Sequence, residues 1–460
     1  MSNVLTQTPT ESNKATTQIH QLAWIIIVVS FTLFCSLSIA LTGGVYYYLV
    51  RSTVPMTVNL QVGRGTAGVV TVNEQFFPRI SPTPTSLSTR PANLSTDTLS
   101  QATVTFSVQP DNEGNPSVIG TLTLQNDTSL TLQSAGRPRF PWSVGAYTID
   151  LTQFAGQAEI FISSIPDDRP LQFRLGTELG NATVLINDVG RYSIIANETV
   201  IRITTYEGRA LLISPDNQNN RFAVAGERVT LLTGSNLPIV TPAPVDLLQN
   251  ARFAFDVVTN PETGALQIPQ QWGCFNDFEE SPSGAWYADT WEGRPAIRMI
   301  REVGSRTSQT GCQHWLDTPV DNYSYLELQA TLSLNFQSLV NCGVVGSECP
   351  MMIFINYTDI NGQDREWYQS FFYNYDPNNP APLICQECGQ AYEHLPISDK
   401  VWYTYESGNL ISRLPEDQRP ARILEVRFYA SGHQYDVFLS EISLFAGTEQ
   451  VAEVPMQFDG

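Results

Sequence analysis

The residues best equipped for chemistry lie in the C-terminal part of this 460-residue chain. Six of its seven cysteines, Cys274, Cys312, Cys342, Cys349, Cys385 and Cys388, fall in one block; Cys342 and Cys349 flank GVVGSE, and Cys385 and Cys388 form CQEC. A four-thiolate zinc site needs two such close pairs converging tetrahedrally. An even set of cysteines is also what a domain stapled by disulfides in an oxidising compartment carries. Outside the cytoplasm the disulfide reading is preferred, most simply as 342 with 349, 385 with 388 and 274 with 312, among the fifteen pairings that six cysteines allow. A redox role for CQEC needs a thioredoxin-like βαβ setting, which its surroundings lack.

The same block is dense in aromatic residues: Trp286, Tyr287, Trp291, Trp315, Trp367, Tyr368 and Trp402. Strand aromatics ordinarily fill a core. Trp286, Tyr287 and Trp291, however, lie in SPSGAWYADTWEGRP, whose Gly and Pro content predicts an exposed loop. That loop, together with His314 and Trp315, is the expected ligand-binding surface. Asp359, Asn361 and Asp364 have spacing suited to calcium but lack the distal bidentate Glu of an EF-hand, so they read as a solvated turn.

Catalysis finds little foothold. The histidines are His20, His314, His394 and His433, with no HExxH, and GxSxG is missing too. A glycosidase needs two facing carboxylates, and no such pair can be singled out. No catalytic residue is assigned, and a non-enzyme is expected. Gly63, Gly65 and Gly68 satisfy GxGxxG, but β-branched residues follow where a dinucleotide site needs a helix, so a hairpin is expected. Asn-x-Ser/Thr sites at Asn93, Asn126, Asn181, Asn197, Asn322 and Asn356 matter only in a host that glycosylates them.

These residues are tethered by the run Leu22–Leu41, LAWIIIVVSFTLFCSLSIAL, with no charge before Arg51. Twenty residues at 1.5 Å each reach roughly 30 Å, the thickness of a bilayer's hydrocarbon. Tyr46, Tyr47 and Tyr48 follow, as suits a headgroup layer. The reading is a single membrane span; a cleaved signal peptide is the alternative, against which stands the want of a small-residue cleavage site. Large Phe34 argues against a lipid-modified Cys35. Lys14 and the α-amine before the span and Arg51 and Arg64 after it nearly balance, so the cysteines decide orientation: the bulk is expected to be extracytoplasmic. A net charge of −20 argues against nucleic acid as a partner and against lying on anionic lipid.

The domain plan that follows is a disordered tail over 1–21, the span over 22–50, a hairpin and Pro/Ser/Thr linker over 51–100, and an all-β domain over 101–234. A Pro-rich joint over 235–245, a β-sandwich over 246–447 and a tail over 448–460 complete it. Short alternating runs such as ATVTFSV, GTLTLQN and AEIFIS, bounded by Gly, Asn and Asp, are antiparallel strands.

Two stretches carry resemblances. The rhythm of Asn181 to Gly234, with Gly190 in a turn, Tyr206-Glu207-Gly208-Arg209-Ala210 entering a strand and Ala225-Gly226-Glu227 before the last, resembles a FecR-type domain, the extracytoplasmic β module of a ferric-citrate regulator. Arg64-Gly65-Thr66 is similar to a degenerate piece of that pattern. The anti-sigma segment of that regulator has no counterpart ahead of Leu22, so sigma-factor control is not expected. The block 246–447 resembles a galactose-binding-like jelly roll of the carbohydrate-binding-module type. The likeness lies in Asn250, Phe253 and Trp272, the hairpin Tyr357 to Gly362, and the closing pattern Asp436 to Leu444. It implies glycan binding and a structural calcium held by an acid in the last strand, here Glu441. The function expected is a membrane-anchored binding or sensing protein contacting glycan or envelope material. A transmembrane signalling regulator, in which deleting the tail alters transcription, or a structural surface protein are the alternatives.

Overall fold

Period-two alternation along Gln101–Val108 buries Ala102, Val104 and Phe106, and along Tyr147–Ile162 it buries Ile149, Leu151, Ala158, Ile160 and Ile162. Strands of this kind cannot bury one apolar face alone and so stack as two sheets. The described residues are accordingly mostly β-strand, with one N-terminal apolar helix and a short helical turn over Leu410–Arg413. The computed structural model describes residues 12–64, 67–71, 84–87, 91–108, 117–140, 142–163, 165, 169–178, 181–260, 264–292, 294–379 and 381–448. The expected C-terminal tail, save residue 448, and the first eleven residues lie outside that set.

The helix runs over Ser12–Tyr46 and continues as a wider turn over Tyr47–Arg51, so it starts ten residues ahead of the apolar run. Its apolar residues are exposed on every side, Trp24 at 67%, Phe31 at 68% and Ile39 at 73%. Among the described residues no protein surface covers them. Residues Arg137–Ala146 form one compact unit with this helix.

In the first sandwich, one sheet orders Ala67–Thr71, Ala92–Thr96, Ser129–Pro138, Tyr147–Ile162, Leu171–Thr177, Thr183–Ile186, Arg209–Ile213 and Arg221–Val224. The other orders Thr85–Leu87, Thr57–Arg64, Gln101–Val108, Ser117–Leu124, Tyr147–Ile162, Gly190–Ala196, Val200–Glu207, Glu227–Leu232 and Ile239–Pro242. Tyr147–Ile162 serves both sheets. It crosses between them at Gly156, whose φ of +112° and close approach to Thr128 exclude a side chain.

Of the region expected as a hairpin and Pro/Ser/Thr linker over 51–100, residues 55–64, 67–71, 84–87 and 91–100 are built into this sandwich, while much of the linker lies outside the described residues. Thr57–Arg64 and Ala67–Thr71 belong to opposite sheets, and Leu87 and Leu94 join a core that runs from Met56 to Leu231. The Pro/Ser/Thr composition disguised two short strands whose apolar residues are too few to show periodicity. The Pro-rich joint is likewise strand-like at both ends, Ile239–Pro242 closing the first sandwich and Val245–Asp246 opening the second.

The second sandwich sets Ala285–Trp291, Arg294–Arg301, Tyr435–Gly447, Tyr325–Gln337 and Tyr403–Glu406 in one sheet. Gly273–Phe278, Ser308–Pro319, Pro420–Gly432, Met351–Asp359 and Asp364–Phe372 make the other. Asn250 caps one corner: its amide donates to the Ala254 and Gln270 carbonyls, Trp272 Nε1 donates to its own carbonyl, and Phe253 lies 5.4 Å from the Trp272 ring. The Asn361-Gly362 turn has positive φ at Gly362 alone, with Gly362 N donating to Asp359 O at 2.9 Å, which makes it a type I turn with a glycine bulge. Asp359 there accepts from Asn361 N, Gln363 N and Arg365 Nε, so its carboxylate is consumed by the turn.

The two sandwiches join through buried polar side chains. Arg191, 6% exposed, donates to Glu441 and to Gln329 Oε1, reaches Ser443 Oγ at 3.3 Å and lies 3.8 Å from Glu159. Its guanidinium stacks over Tyr206 at 4.6 Å and Phe445 at 5.3 Å. Glu406 accepts amide bonds from Gln125, Gln157 and Gln329, while Gln101 exchanges two 2.7 Å bonds with the Thr404 backbone. Burial opposes the Arg191 charge, but Glu441 and Glu159 outweigh it and hold its pKa above the ordinary value. Burial also raises Glu159, Glu406 and Asp246, and takes Glu327 from 4.5 to about 7.

Two outcomes follow for the detergent-solubilised chain. Truncating one partner of a buried ion pair strands the other charge, so Glu441→Ala is expected to lower unfolding free energy by about 3–5 kcal/mol in denaturant titration, against under about 1 kcal/mol were the pair solvated. The folded state holds the Glu327 proton more tightly than the unfolded chain, so this contribution is complete below pH 4.5 and is lost as pH rises through about 7. Thermal midpoints should fall across that window, and Glu327→Gln should flatten the slope; equal slopes would place the dependence elsewhere.

Candidate functional site

In Pro420–Gly432, Val426 and Phe428 point into the core while Glu425, Arg427 and Tyr429 alternate to the outer face. In Met351–Asp359, Ile353 and Ile355 point inward and Met352, Phe354 and Asn356 outward. Registered neighbours on adjacent strands share a face. One row across this sheet therefore reads Gln313, Arg427, Phe354, Tyr368, and the next reads Trp315, Glu425, Asn356, Glu366.

The rows combine polar and aromatic side chains, with Glu425 and Phe354 buried among them. Trp315 is 64% exposed, Glu366 is exposed, and Gln313, Asn356, Tyr368 and Arg427 are half-buried. Arg427 lies between rings, 5.1 Å from Phe354 and 5.6 Å from Phe275, and its Nε donates to Glu425 at 2.9 Å. Phe354 and Tyr368 stand 4.9 Å apart, and the Tyr368 hydroxyl donates to Glu366 at 3.3 Å. Burial, then Tyr429 and Glu366, raise the Tyr368 phenol, and burial pushes Tyr429 up to about 12, so both remain hydroxyl donors.

One end of the face is walled by the cysteine loops. Cys342, Cys349, Met352, Phe354, Phe372 and Tyr429 cluster there, with Cys388 and Leu383 against them, and Gln386 N donates to Val345 O at 3.0 Å. Sulfur–sulfur distances are 1.94 Å for Cys274–Cys312, 1.89 Å for Cys342–Cys349 and 1.91 Å for Cys385–Cys388. Among the described residues, the metal-ligand grouping within 4.8 Å is Cys342, Cys349 and His394. Bonding to each other removes both sulfurs from a ligand set, and burial lowers His394 to about 4, leaving it neutral.

The expected ligand surface is not brought together. SPSGAWYADTWEGRP is largely strand Ala285–Trp291, because pairing with Arg294–Arg301 satisfies its backbone. Trp286 packs on the core, and Trp291 stacks 5.4 Å from Phe438 beside Trp402. His314 is 6% exposed with its ring 5.2 Å from Trp272, and burial lowers its pKa, so it belongs to the core. Tyr287, 38% exposed, lies 5.8 Å from Arg298 on the opposite sheet from Trp315. Glu441, expected to hold calcium, meets the guanidiniums of Arg191 and Arg252 instead, which already neutralise it and would repel a cation. Trp315 alone of the expected ligand residues lies on the candidate face.

Arg427, Glu425, Phe354, Asn356, Gln313 and Glu366 were missed. Their signal is present as charge and amide at alternate positions of otherwise apolar strands, ILEVRFY and MMIFINY. Only register places those positions side by side.

No protein-family model matches the chain, and no curated protein matches it. Solved structures similar to it include a Parabacteroides distasonis protein assigned as an anti-sigma factor, at 13% identity and TM-score 0.22, covering 33% of this chain. The chain spans 60% of that structure's length. A family 11 carbohydrate-binding module of a Clostridium thermocellum cellulosomal cellulase matches at 14% identity and TM-score 0.23, covering 43% of this chain and 98% of its own. The xylan-binding domain of a Paenibacillus barcinonensis protein matches at 12% identity and TM-score 0.23, covering 46% and 99%. Likenesses of this size leave the site to its own geometry.

Gly311 sits opposite Tyr429 in register, and a Cβ there would lie 2.2 Å from Phe428 O and 2.5 Å from Tyr429 Cβ. Gly311→Ala is therefore expected to destabilise by about 2 kcal/mol or more in denaturant titration, since backbone must shift. Wild-type stability in that variant would mean the strands are spaced more widely than described.

Proposed function

We propose that this chain is a single-pass membrane protein, extracytoplasmic beyond Arg51, whose second sandwich binds a neutral glycan of the cell surface or envelope without transforming it. The observation that carries the reading is the double row Gln313, Arg427, Phe354, Tyr368 and Trp315, Glu425, Asn356, Glu366 on one sheet face. A sugar ring has an apolar C–H face and a rim of hydroxyls. Exposed Trp315 and half-exposed Tyr368 offer surfaces for the first, and Gln313, Asn356, Arg427 and Glu366 offer donors and acceptors for the second. Two carboxylates against one guanidinium, on a chain of net charge −20, disfavour an acidic polymer. The extracytoplasmic placement rests on three cysteine pairs at bonding distance.

The test is a glycan array probed with the oxidised full-length chain in detergent, followed by titration of the best ligand. Trp315→Ala and Arg427→Ala should each weaken binding by about tenfold, equivalent to about 1.4 kcal/mol, while Tyr287→Ala on the other sheet leaves it unchanged. An array without binding, or equal affinity in all three variants, would overturn the assignment.

A further inference from the structure

The segment Arg137–Ala146, RPRFPWSVGA, is unlike the polar turns elsewhere in the first sandwich. It is fastened to the C-terminal end of the apolar helix. Arg139 N donates to Ser52 O at 3.1 Å, Arg139 Nε donates to Ser52 Oγ at 3.1 Å, and the Ser143 hydroxyl donates to Val50 O. The Arg139 guanidinium lies 5.0 Å from the centre of the Tyr48 ring, and Phe140 stands edge-on to that ring at 5.8 Å. Phe140 and Trp142 stack at 4.9 Å with their planes 9° apart. Trp142 is nonetheless 66% exposed and Val144 69% exposed.

Depth along the helix says what covers these side chains. If Leu22–Leu41 fills the hydrocarbon, Tyr46 to Tyr48 lie five to seven residues beyond it, about 8–10 Å at 1.5 Å per residue, at the outer margin of the headgroup layer. Contacts to Tyr48 hold Arg139 and Phe140 at that level, while Val50 and Ser52 lie further out. Tryptophan and tyrosine concentrate there because an amphipathic ring meets acyl chain on one side and water on the other, and an arginine beside them meets lipid phosphate.

We propose that Arg137–Ala146 is a second membrane contact, seated in the headgroup layer beside the helix end, with Trp142 and Val144 turned to the acyl boundary and Arg139 to a lipid phosphodiester. The contact rests on the reading of the helix as a span.

The full chain in phosphatidylcholine nanodiscs tests this, with photoreactive benzoylphenylalanine placed in turn at position 31 in the helix, position 142, and position 222, where Phe222 is an exposed sandwich residue. Mass spectrometry after irradiation should find lipid adducts at 31 and 142, with the yield at 142 about five-fold or more above that at 222. Lipid at 31 but background yield at 142 leaves the span standing and overturns the second contact. A peptide adduct at 142 overturns it in favour of a protein partner. No lipid at 31 removes the span and the proposal with it.

Discussion

A guanidinium taken out of water between two domains has to be met by partners, and Arg191 is: by the Glu441 carboxylate, by Gln329 and Ser443, by Glu159 nearby, and by the mutually stacked rings of Tyr206 and Phe445 beside it. These partners meet the Arg191 charge from both sandwiches at once, Glu159 and Tyr206 from the first and Glu441, Gln329, Ser443 and Phe445 from the second. Around this centre the interface is tiled mainly with glutamines. An amide both donates and accepts, so Gln101, Gln125, Gln157 and Gln329 satisfy neighbouring carboxylates and backbone without adding charge that would itself need matching. A buried interface of this kind is weak as a source of stability and strong as a source of specificity, since any other docking leaves ions unpaired.

That interface also decides which surface of the second sandwich can serve a ligand. A sandwich has two outer faces. Glu441, Ser443 and Phe445, on the outer side of Tyr435–Gly447, are spent on the first domain, and Trp291, at the edge of the same sheet, is packed beside Phe438 and Trp402. The opposite sheet keeps its outer face, with Arg427 between aromatic rings and Trp315 in the open. The three cysteine pairs support that face: Cys274–Cys312 joins its first two strands in register, and the Cys342–Cys349 and Cys385–Cys388 loops wall one end.

Much of the architecture was legible before any coordinates. The apolar run and the alternating strands are local properties of the chain, each set by which side of a helix or strand must leave water. The closeness in sequence of Cys342 to Cys349 and Cys385 to Cys388 likewise marked their pairing as the simplest. The stretch 51–100 misled because Pro, Ser and Thr dominate its composition, while the few apolar residues that matter, Val58, Leu60, Leu87 and Leu94, are spread over strands in both sheets.

The site was legible only in fragments. Trp286 and Trp291 looked exposed from their neighbours in sequence, and His314 was placed with them on the ligand surface, yet burial is set by neighbours in space: a paired strand, Phe438 with Trp402, and Trp272. Glu441 looked like a cation ligand because nothing in the chain announces that Arg191, two hundred and fifty residues earlier, will arrive beside it. By itself the sequence determined strand periodicity, the apolar helix and the supply of thiols, because these depend on the spacing of side chains along the backbone. Which outer face is free, and which residues form a row across it, was decided by strand register and domain docking, because those contacts join residues that the chain keeps far apart.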